Sequence, residues 1–387
     1  MRKRFSKVIF LILPIIAISF LQGCSEKKEP TNDATQSEAN SSEGKVADIL
    51  WEFKTGAAIA SSPVKYDDDI IFGSGDKNLY SVDLQTHEKN WSFDAGVGIN
   101  NTPIIDGDNV IFSTNSTCYE LDAKTGKEIW RYTSSKVGKE TLNGYDYHLP
   151  SPVLYKDLVI FPNRSGDIYG LNKSTGKLEW EYKAEGSSDI LTTPSIQGDI
   201  MCIGDVKGNA IAVDLNTQKT IWSNNTGSNI IHAAFVYKDY AYFAGRGTTL
   251  DVFNIKDGSK AWLYTDPSRS WLTGDMVAKD DIVYVPGSDN RNVIGFKYDT
   301  GEKVKSLLGE GNIFSKPYID NNIMYFSAGD VYYSKSGGIS GYDLSTNKKV
   351  VKIMIESPMY SSPIVIDNVL YVGSSNGKLY AIDVKTE

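Results

Sequence analysis

The stretch Asp122-Ala-Lys-Thr125-Gly126-Lys-Glu-Ile-Trp130 decides the fold, because variants of it recur along the chain. An Asp side chain at the first position can accept hydrogen bonds from backbone N–H groups two or three residues later, and Thr adds a second local hydrogen bond. Gly supplies the positive φ that such a turn between strands requires. The pattern therefore predicts a turn that leads into a strand, with the Trp placed to pack between neighbouring units.

Eight copies of this pattern can be aligned on the position of the Trp. Their spacing of 39 to 50 residues is that of a four-stranded propeller blade. We therefore predict an all-β protein in which residues 49–387 form an eight-bladed β-propeller, and we interpret the aligned residues as structural. The aligned positions are Trp51, Trp91, Trp130, Trp180, Trp222, Trp262, Lys305 and Val351.

The two ends of the repeat region predict how the ring closes. The sequence stops at Glu387, where the eighth turn begins, so blade eight lacks its own outer strand. The region begins with an outer strand that has no preceding blade, Leu50-Trp51-Glu52-Phe53. We predict that this N-terminal strand completes blade eight, because that pairing removes the open edges between the first and last blades.

The first 23 residues resemble the signal peptide of a bacterial lipoprotein. Residues 1–7 are basic, and the apolar run from Val8 to Leu21 is too short for a comfortable membrane span. Leu21-Gln-Gly-Cys24 resembles a lipobox, which implies cleavage before Cys24 and a diacylglycerol on its thiol. Two or more acyl chains would hold the protein stably at a membrane.

Residues 24–48 are expected to form a disordered tether behind the lipidated cysteine. From Ser25 to Gly44 there is no aromatic residue, and apart from Pro30 the only apolar residues are two alanines. The sequence does not decide which membrane the protein is attached to. A long polar tether suits the surface of a Gram-positive cell, whereas Ser25 after the cysteine would not oppose sorting to an outer membrane.

The net charge excludes one class of partner. It is −8 for the whole sequence, and four positive charges lie in the first seven residues, so the remainder carries −12. Such a domain is a poor binder of nucleic acid, because attraction to phosphate needs clustered Lys and Arg. The charge favours solubility, and we expect a monomer.

The repeat resembles the PQQ-like propeller repeat, named for the quinoprotein dehydrogenases. The resemblance rests on the D-x-x-T-G-x-x-x-W turn, on Ser361-Ser-Pro363 and on Gly377-Lys-Leu-Tyr-Ala-Ile-Asp383, and it covers residues 49–387. With the lipobox and this length, the chain looks most like propeller lipoproteins similar to the outer-membrane β-barrel assembly lipoprotein. That resemblance implies a protein-binding scaffold that holds no quinone.

The residues needed for catalysis are not recognisable. Quinoprotein dehydrogenases carry a vicinal disulfide over the cofactor, whereas the mature chain has only Cys118 and Cys202 besides Cys24. The three histidines, at positions 87, 148 and 232, lack the spacing of metal ligands. No nucleophile elbow, phosphate loop or dinucleotide fingerprint is present. We expect no enzyme activity, no cofactor and no metal.

Departures from the repeat are where a specific function is most plausibly added. A Pro follows the Trp position by twelve residues in four blades, but in blade three the gap grows to twenty-two, from Trp130 to Pro152. Blades five and six have Ala234 and Gly274 in place of this Pro. Aromatic residues and Arg are typical of binding hot spots. The candidate partner-binding residues are Tyr145, Tyr147, His148, Arg269 and Trp271.

Three functions follow from these observations. The first is a lipid-anchored scaffold that binds an envelope protein, for which envelope or outer-membrane protein assembly is one candidate role. The second is a quinoprotein-type dehydrogenase, and the third is a surface module that binds a glycan or small ligand in the central funnel. The missing cofactor residues favour the first over the second, and the sequence does not separate the first from the third.

Overall fold

The computed structural model describes residues 45–136, 149–183, 185–186, 188–232, 234–330 and 335–385. Cys24 and the segments predicted as a signal peptide and as a tether up to residue 44 therefore lie outside the described residues. Within the described ranges, no helix is long and apolar enough to cross a membrane.

The described strands form eight sheets, each built on four antiparallel strands, that are arranged as an eight-bladed β-propeller, which confirms the predicted fold. From the innermost strand outward, the strands are Val64–Tyr66, Asp69–Gly73, Asn78–Asp83 and Lys89–Asp94 in blade one; Ile104–Asp106, Asn109–Ser113, Thr117–Asp122 and Glu128–Thr133 in blade two; Val153–Tyr155, Leu158–Pro162, Ile168–Asn172 and Leu178–Tyr182 in blade three; Ser195–Gln197, Ile200–Gly204, Asn209–Asp214 and Lys219–Asn225 in blade four; Phe235–Tyr237, Tyr240–Ala244, Thr249–Asn254 and Lys260–Thr265 in blade five; Val277–Lys279, Ile282–Pro286, Asn292–Lys297 and Lys303–Leu308 in blade six; Tyr318–Asp320, Ile323–Gly329, Gly337–Asp343 and Lys349–Ile355 in blade seven; and Ile364–Ile366, Val369–Gly373, Lys378–Asp383 and Ile49–Lys54 in blade eight.

The ring closes as predicted. The N-terminal strand Ile49–Lys54 is the outer strand of blade eight and pairs antiparallel with Lys378–Asp383. Trp51 lies opposite Ala381, and Phe53 lies opposite Leu379. The first and last parts of the described chain therefore share one sheet, and no blade is left incomplete.

The folded domain begins earlier than predicted. Lys45–Val46 pairs in parallel with the outer strand of blade seven, and Ala47 is buried against that blade. The amide of Asp383 donates to the carbonyl of Asp48 at 2.9 Å. In blade two, where the turn is unbroken, the equivalent bond joins the amide of Asp122 to the carbonyl of Lys127, also at 2.9 Å. Residues 45–48 thus supply the missing half of the eighth turn, and the prediction that they belong to the tether is wrong.

The tryptophans of the repeat pack between blades, as predicted, and each contacts a defined part of the next turn. The indole N–H of Trp91 donates to the carbonyl of Ala123 at 3.0 Å. The same bond joins Trp130 to Lys173, Trp222 to Ile255 and Trp262 to Tyr298. In each case the acceptor directly follows the first residue of the next blade's turn.

The glycine of each such turn lies beneath the indole of the preceding blade. A Cβ atom on Gly258 would come within 2.6 Å of Trp222 Cγ, and one on Gly126 would come within 2.6 Å of Trp91 Cδ2. Both glycines also have positive φ, 71° and 69°. Glycine is therefore required there both for its conformation and for the space that the indole takes.

Four junctions replace this contact with others. His87 stands at the glycine position of blade one and stacks on Trp51, with ring centroids 4.5 Å apart. Lys305 replaces a Trp, and its ammonium donates to the same carbonyl position, that of Leu344. Gln218 replaces the glycine of blade four, and the Trp180 indole lies over Gly170 of its own blade instead. At the fourth junction, Val351 stands at the Trp position of blade seven and packs in the same apolar cluster as Ala47.

Candidate binding face and central channel

The connections between strands fall on two faces of the ring, because neighbouring strands of a blade are antiparallel. One face carries the loops that enter each innermost strand and the loops between second and third strands; we call it the loop face. The other carries the turns between first and second strands and the Asp-Thr-Gly turns before the outer strands; we call it the turn face.

Two of the predicted binding residues lie on the loop face. Arg269 and Trp271 belong to the loop of residues 266–276, which enters blade six. Arg269 is exposed and has a φ of 57°, while Trp271 is half-buried. Tyr145, Tyr147 and His148 lie outside the described residues, so their part of the prediction stays a prediction.

The carboxylate of Asp266 holds the loop that presents Arg269. It accepts hydrogen bonds from the amides of Ser268 at 2.9 Å and Ser270 at 3.3 Å, and from the side-chain amide of Asn290 at 2.9 Å. Burial alone would raise the pKa of Asp266, but these hydrogen bonds outweigh it and hold the pKa below its usual value. Hydrogen bonds to the Asp266 side chain therefore fix the conformation of the loop.

Trp271 is also tied to the fold. Its carbonyl accepts a hydrogen bond from the amide of Ser288 at 2.9 Å. The guanidinium carbon of Arg246, from the loop face of blade five, lies 5.3 Å from the centroid of the indole. This cation–π contact joins blades five and six and leaves part of the ring accessible. Arg246 was missed from the sequence, because nothing in the spacing of the repeat indicates which loop reaches its neighbour.

Arg164 is a second arginine of the loop face that the sequence analysis missed. It lies in the loop between the second and third strands of blade three and is only 4% exposed. Its Nε and Nη1 atoms form no hydrogen bond with any of the described residues. An alignment of the blades would have singled it out, because blade one has Gly75 at this position.

The central channel is closed by an apolar layer on the side of the loop face. Each member is contributed by the loop that enters an innermost strand, and all are buried. Phe314 and Tyr360 meet edge to face, with centroids 5.7 Å apart. The layer contains Leu149, Leu191, Ile231, Phe314 and Tyr360.

A polar ring follows this apolar layer along the axis. It is formed by the residue before the Pro position of each described blade, and backbone amides of one blade donate to hydroxyls of the next. The amide of Thr102 donates to Ser151 Oγ at 2.9 Å, and that of Ser362 donates to Ser62 Oγ at 3.1 Å. The described members are Ser62, Thr102, Ser151, Thr193, Asp275, Lys316 and Ser362.

Blade six departs from the predicted alignment at this ring. Its innermost strand begins at Val277 directly after Met276, as that of blade one begins at Val64 directly after Pro63. Met276, and not Gly274, therefore takes the place of the Pro. The entering loop is two residues longer than the Trp-to-Pro spacing indicated, and this places Asp275 in the ring.

The narrow part of the channel, between the apolar layer and the polar ring, has no room for the quinone of quinoprotein dehydrogenases. The space between the apolar layer and the polar ring is about 30 Å³, far below the volume of a small-molecule site. Cys118 and Cys202 are both fully buried on strands of blades two and four and form no disulfide. Burial raises the pKa of each thiol, which leaves both unreactive.

The described residues also hold no cluster for a metal. Across the described ranges, no group of three or more His, Cys, Asp or Glu is close enough to bind an ion. His87 is exposed and stacked on Trp51, and His232 is buried beside the channel.

Comparison with curated proteins finds both enzymes and an assembly factor. Tetrathionate hydrolase from Acidithiobacillus ferrooxidans is 27% identical over 251 residues, which are 55% of this chain and 50% of that protein. Outer membrane protein assembly factor BamB from Bordetella pertussis is 25% identical over 159 residues, 36% of this chain and 40% of that protein. Quinoprotein alcohol dehydrogenase PedH from Pseudomonas putida is 29% identical over 169 residues, 41% of this chain and 26% of that protein. The chain spans half the length or less of these relatives.

A solved structure and a family model agree on the fold. The crystal structure of BamB from Moraxella catarrhalis superimposes with a TM-score of 0.66 at 19% identity, covering 87% of this chain and all of that chain. The family model described as outer membrane protein assembly factor BamB matches residues 47–237 and 184–387. These two segments overlap and together span the propeller. The chain therefore belongs to the family of outer membrane protein assembly factor BamB.

Proposed function

We propose that this protein is a lipid-anchored scaffold of the cell envelope that binds protein partners during outer-membrane protein assembly and catalyses no reaction. The observation that carries the proposal is the match of the BamB family model along the whole propeller. A lipid on Cys24 would keep a monomeric domain at the membrane while a polar segment lets it reorient.

The loop face is the surface proposed for the partner. The turn face is built mainly from short turns of similar sequence, whereas the loops that enter the blades differ in length and composition. Arg269 is exposed at the tip of an ordered loop, and the half-buried Trp271 lies two residues further on. A rigid aromatic side chain beside arginines is typical of binding hot spots.

The alternative of a quinoprotein dehydrogenase has relatives in its favour, since PedH is one of the matched proteins. The channel argues against it. The 30 Å³ at the closed layer is too small for a quinone. The cavity of about 510 Å³ beyond the polar ring is large enough, but its described lining offers only two lysines, Lys279 and Lys316, and no vicinal disulfide.

Photo-crosslinking in living cells tests the binding face. A photoreactive amino acid at position 269 should yield discrete adducts with envelope proteins, identified by mass spectrometry. The matched control is the same amino acid at Lys256, which is exposed on the turn face of blade five. Trp271→Ala should weaken capture of the same partner by about thirtyfold, the effect of a hot-spot truncation of about 2 kcal/mol.

Two results would contradict this proposal. Equal adducts from positions 256 and 269, with undiminished capture by a folded Trp271→Ala protein, would remove the loop face as the binding surface. Saturable binding of pyrroloquinoline quinone with reduction of a dye by alcohols would replace the scaffold with the dehydrogenase.

A further inference from the structure

A larger cavity lies on the other side of the polar ring. Its volume is about 510 Å³, which is within the range of small-molecule sites. Its lining continues from the ring along the innermost strands of blades one, six, seven and eight, so the cavity lies toward the turn face. The apolar wall includes Val64, Val277, Ala278, Pro317 and Ile364.

The apolar wall extends between two blades. A second volume of about 430 Å³ shares Val64, Tyr318 and Ile364 with the first and continues between the innermost strands of blades eight and one. Together they offer an elongated, partly apolar space that is separate from the closed layer and from the loop face.

The cavity is positively charged in a protein that carries a net charge of −8. Lys316 lines it at the polar ring, and Lys279 lines it at the end of the innermost strand of blade six. Neither ammonium forms an ion pair with any of the described residues. Most of the ion pairs between described residues do involve lysines. Asp275 is the one carboxylate that the described residues contribute to the first volume, and the second volume adds Lys65 and Asp367, so three positive charges face two negative charges along the whole space.

The hydroxyls of the ring add polar groups beside Lys316. Ser62, Thr102 and Ser362 all line the cavity. Ser362 Oγ accepts a hydrogen bond from the amide of Lys316 at 2.8 Å, which fixes the two residues side by side. An anionic group at this end would meet an ammonium and several hydroxyl donors, while the rest of the ligand would meet the apolar wall.

We propose that this cavity binds a small carboxylate with an apolar body, with the carboxylate at Lys316 and Lys279 and the body along the innermost strands. This site is distinct from the proposed protein-binding residues, since neither Arg269 nor Trp271 lines it, although Asp275 at the end of the same loop does. The occupant is a monocarboxylic acid of medium chain length, because the charge needs a single anion and the wall needs a hydrocarbon.

Titration calorimetry with octanoate tests the site on the purified propeller. Octanoate should bind at one site per molecule, and octanol and acetate, which each lack one half of the ligand, should bind at least tenfold more weakly. Lys316→Gln should weaken octanoate about tenfold, and adding Lys279→Gln should weaken it further. Lys256→Gln, an exposed lysine on the turn face outside the cavity, should leave the affinity unchanged.

The affinity for octanol gives the lysine variants a second readout. Because these substitutions remove only charge, the weak affinity for octanol should stay the same in all variants. Octanoate that binds the double variant as tightly as the wild type, or octanol that binds the wild type as tightly as octanoate does, would overturn the proposal.

Discussion

The indole of Trp222 lies on Gly258 of the next blade and donates its N–H to the carbonyl of Ile255 at 2.8 Å. The sequence predicted a structural Trp and a glycine with positive φ, because both follow from turn chemistry within nine residues. It did not predict that the two residues of successive blades contact each other. Their separation along the chain varies between blades, and only the packing of one sheet on the next brings them together.

Replacing Trp222 with Phe measures this contact. The variant loses the indole hydrogen bond and leaves the Ile255 carbonyl buried without its donor, so the free energy of unfolding should fall by about 2–3 kcal/mol. Trp180→Phe is the matched control, because the Trp180 indole N–H has no hydrogen-bond partner among the described residues. Trp180→Phe should therefore lower the free energy of unfolding by about 1 kcal/mol less than Trp222→Phe does.

Urea unfolding of the two variants gives the comparison through their midpoints at equal slope. Equal losses of stability for Trp222→Phe and Trp180→Phe would show that the hydrogen bond to the next turn contributes nothing.

At the scale of the element, every outer strand carries a β-bulge directly before its Trp position. In blade two, Trp130 lies opposite Glu120 and Glu128 lies opposite Leu121, so Ile129 is the extra residue. The same register shift occurs in the other seven blades. A bulge interrupts the outer hydrogen-bonding edge of each blade, which disfavours pairing with another molecule, and in blade seven Lys45–Val46 also covers part of that edge. The repeat predicted these strands, but alternation alone does not reveal one extra residue.

The N-terminal strands can be removed in steps. Deleting residues 25–44 should leave the melting temperature unchanged. Deleting 25–48 removes the short strand on blade seven and the buried Ala47, and should lower the melting temperature by a few degrees. Deleting 25–56 also removes Trp51 and Phe53 and opens blade eight, so the protein should lose several kcal/mol of stability or aggregate.

Calorimetry of the three deletion variants, expressed without residues 1–23, checks this order. Equal melting temperatures for all three would show that the N-terminal strands do not hold the ring closed.

For the whole molecule, the number of blades was predictable and the interior of the channel was not. Eight turns counted along the sequence give eight blades, because each turn belongs to one local unit. The apolar layer is different, since Leu149, Leu191 and Phe314 come from three separate blades and meet only at the axis. The contact between Arg246 and Trp271 could not be predicted for the same reason, because the two residues come from different blades.

We predict that the location of the whole molecule depends on a lipid at Cys24. Cys24→Ala should leave an unprocessed precursor that incorporates no radioactive fatty acid, because the thiol that receives the lipid is gone. Cys118→Ala is the control, since that thiol is fully buried in blade two and should not affect labelling. Fatty-acid labelling of Cys24→Ala at the wild-type level would refute the lipid anchor.

The segment that closes the ring is also the first part of the described chain. Residues 45–54 run from the outer edge of blade seven into the outer strand of blade eight. If the chain is tethered upstream at Cys24, any tension between the membrane and a captured partner enters the propeller at this junction. The strand pairings of blades seven and eight would then bear the mechanical load, and forced opening of the ring would begin where the protein is attached.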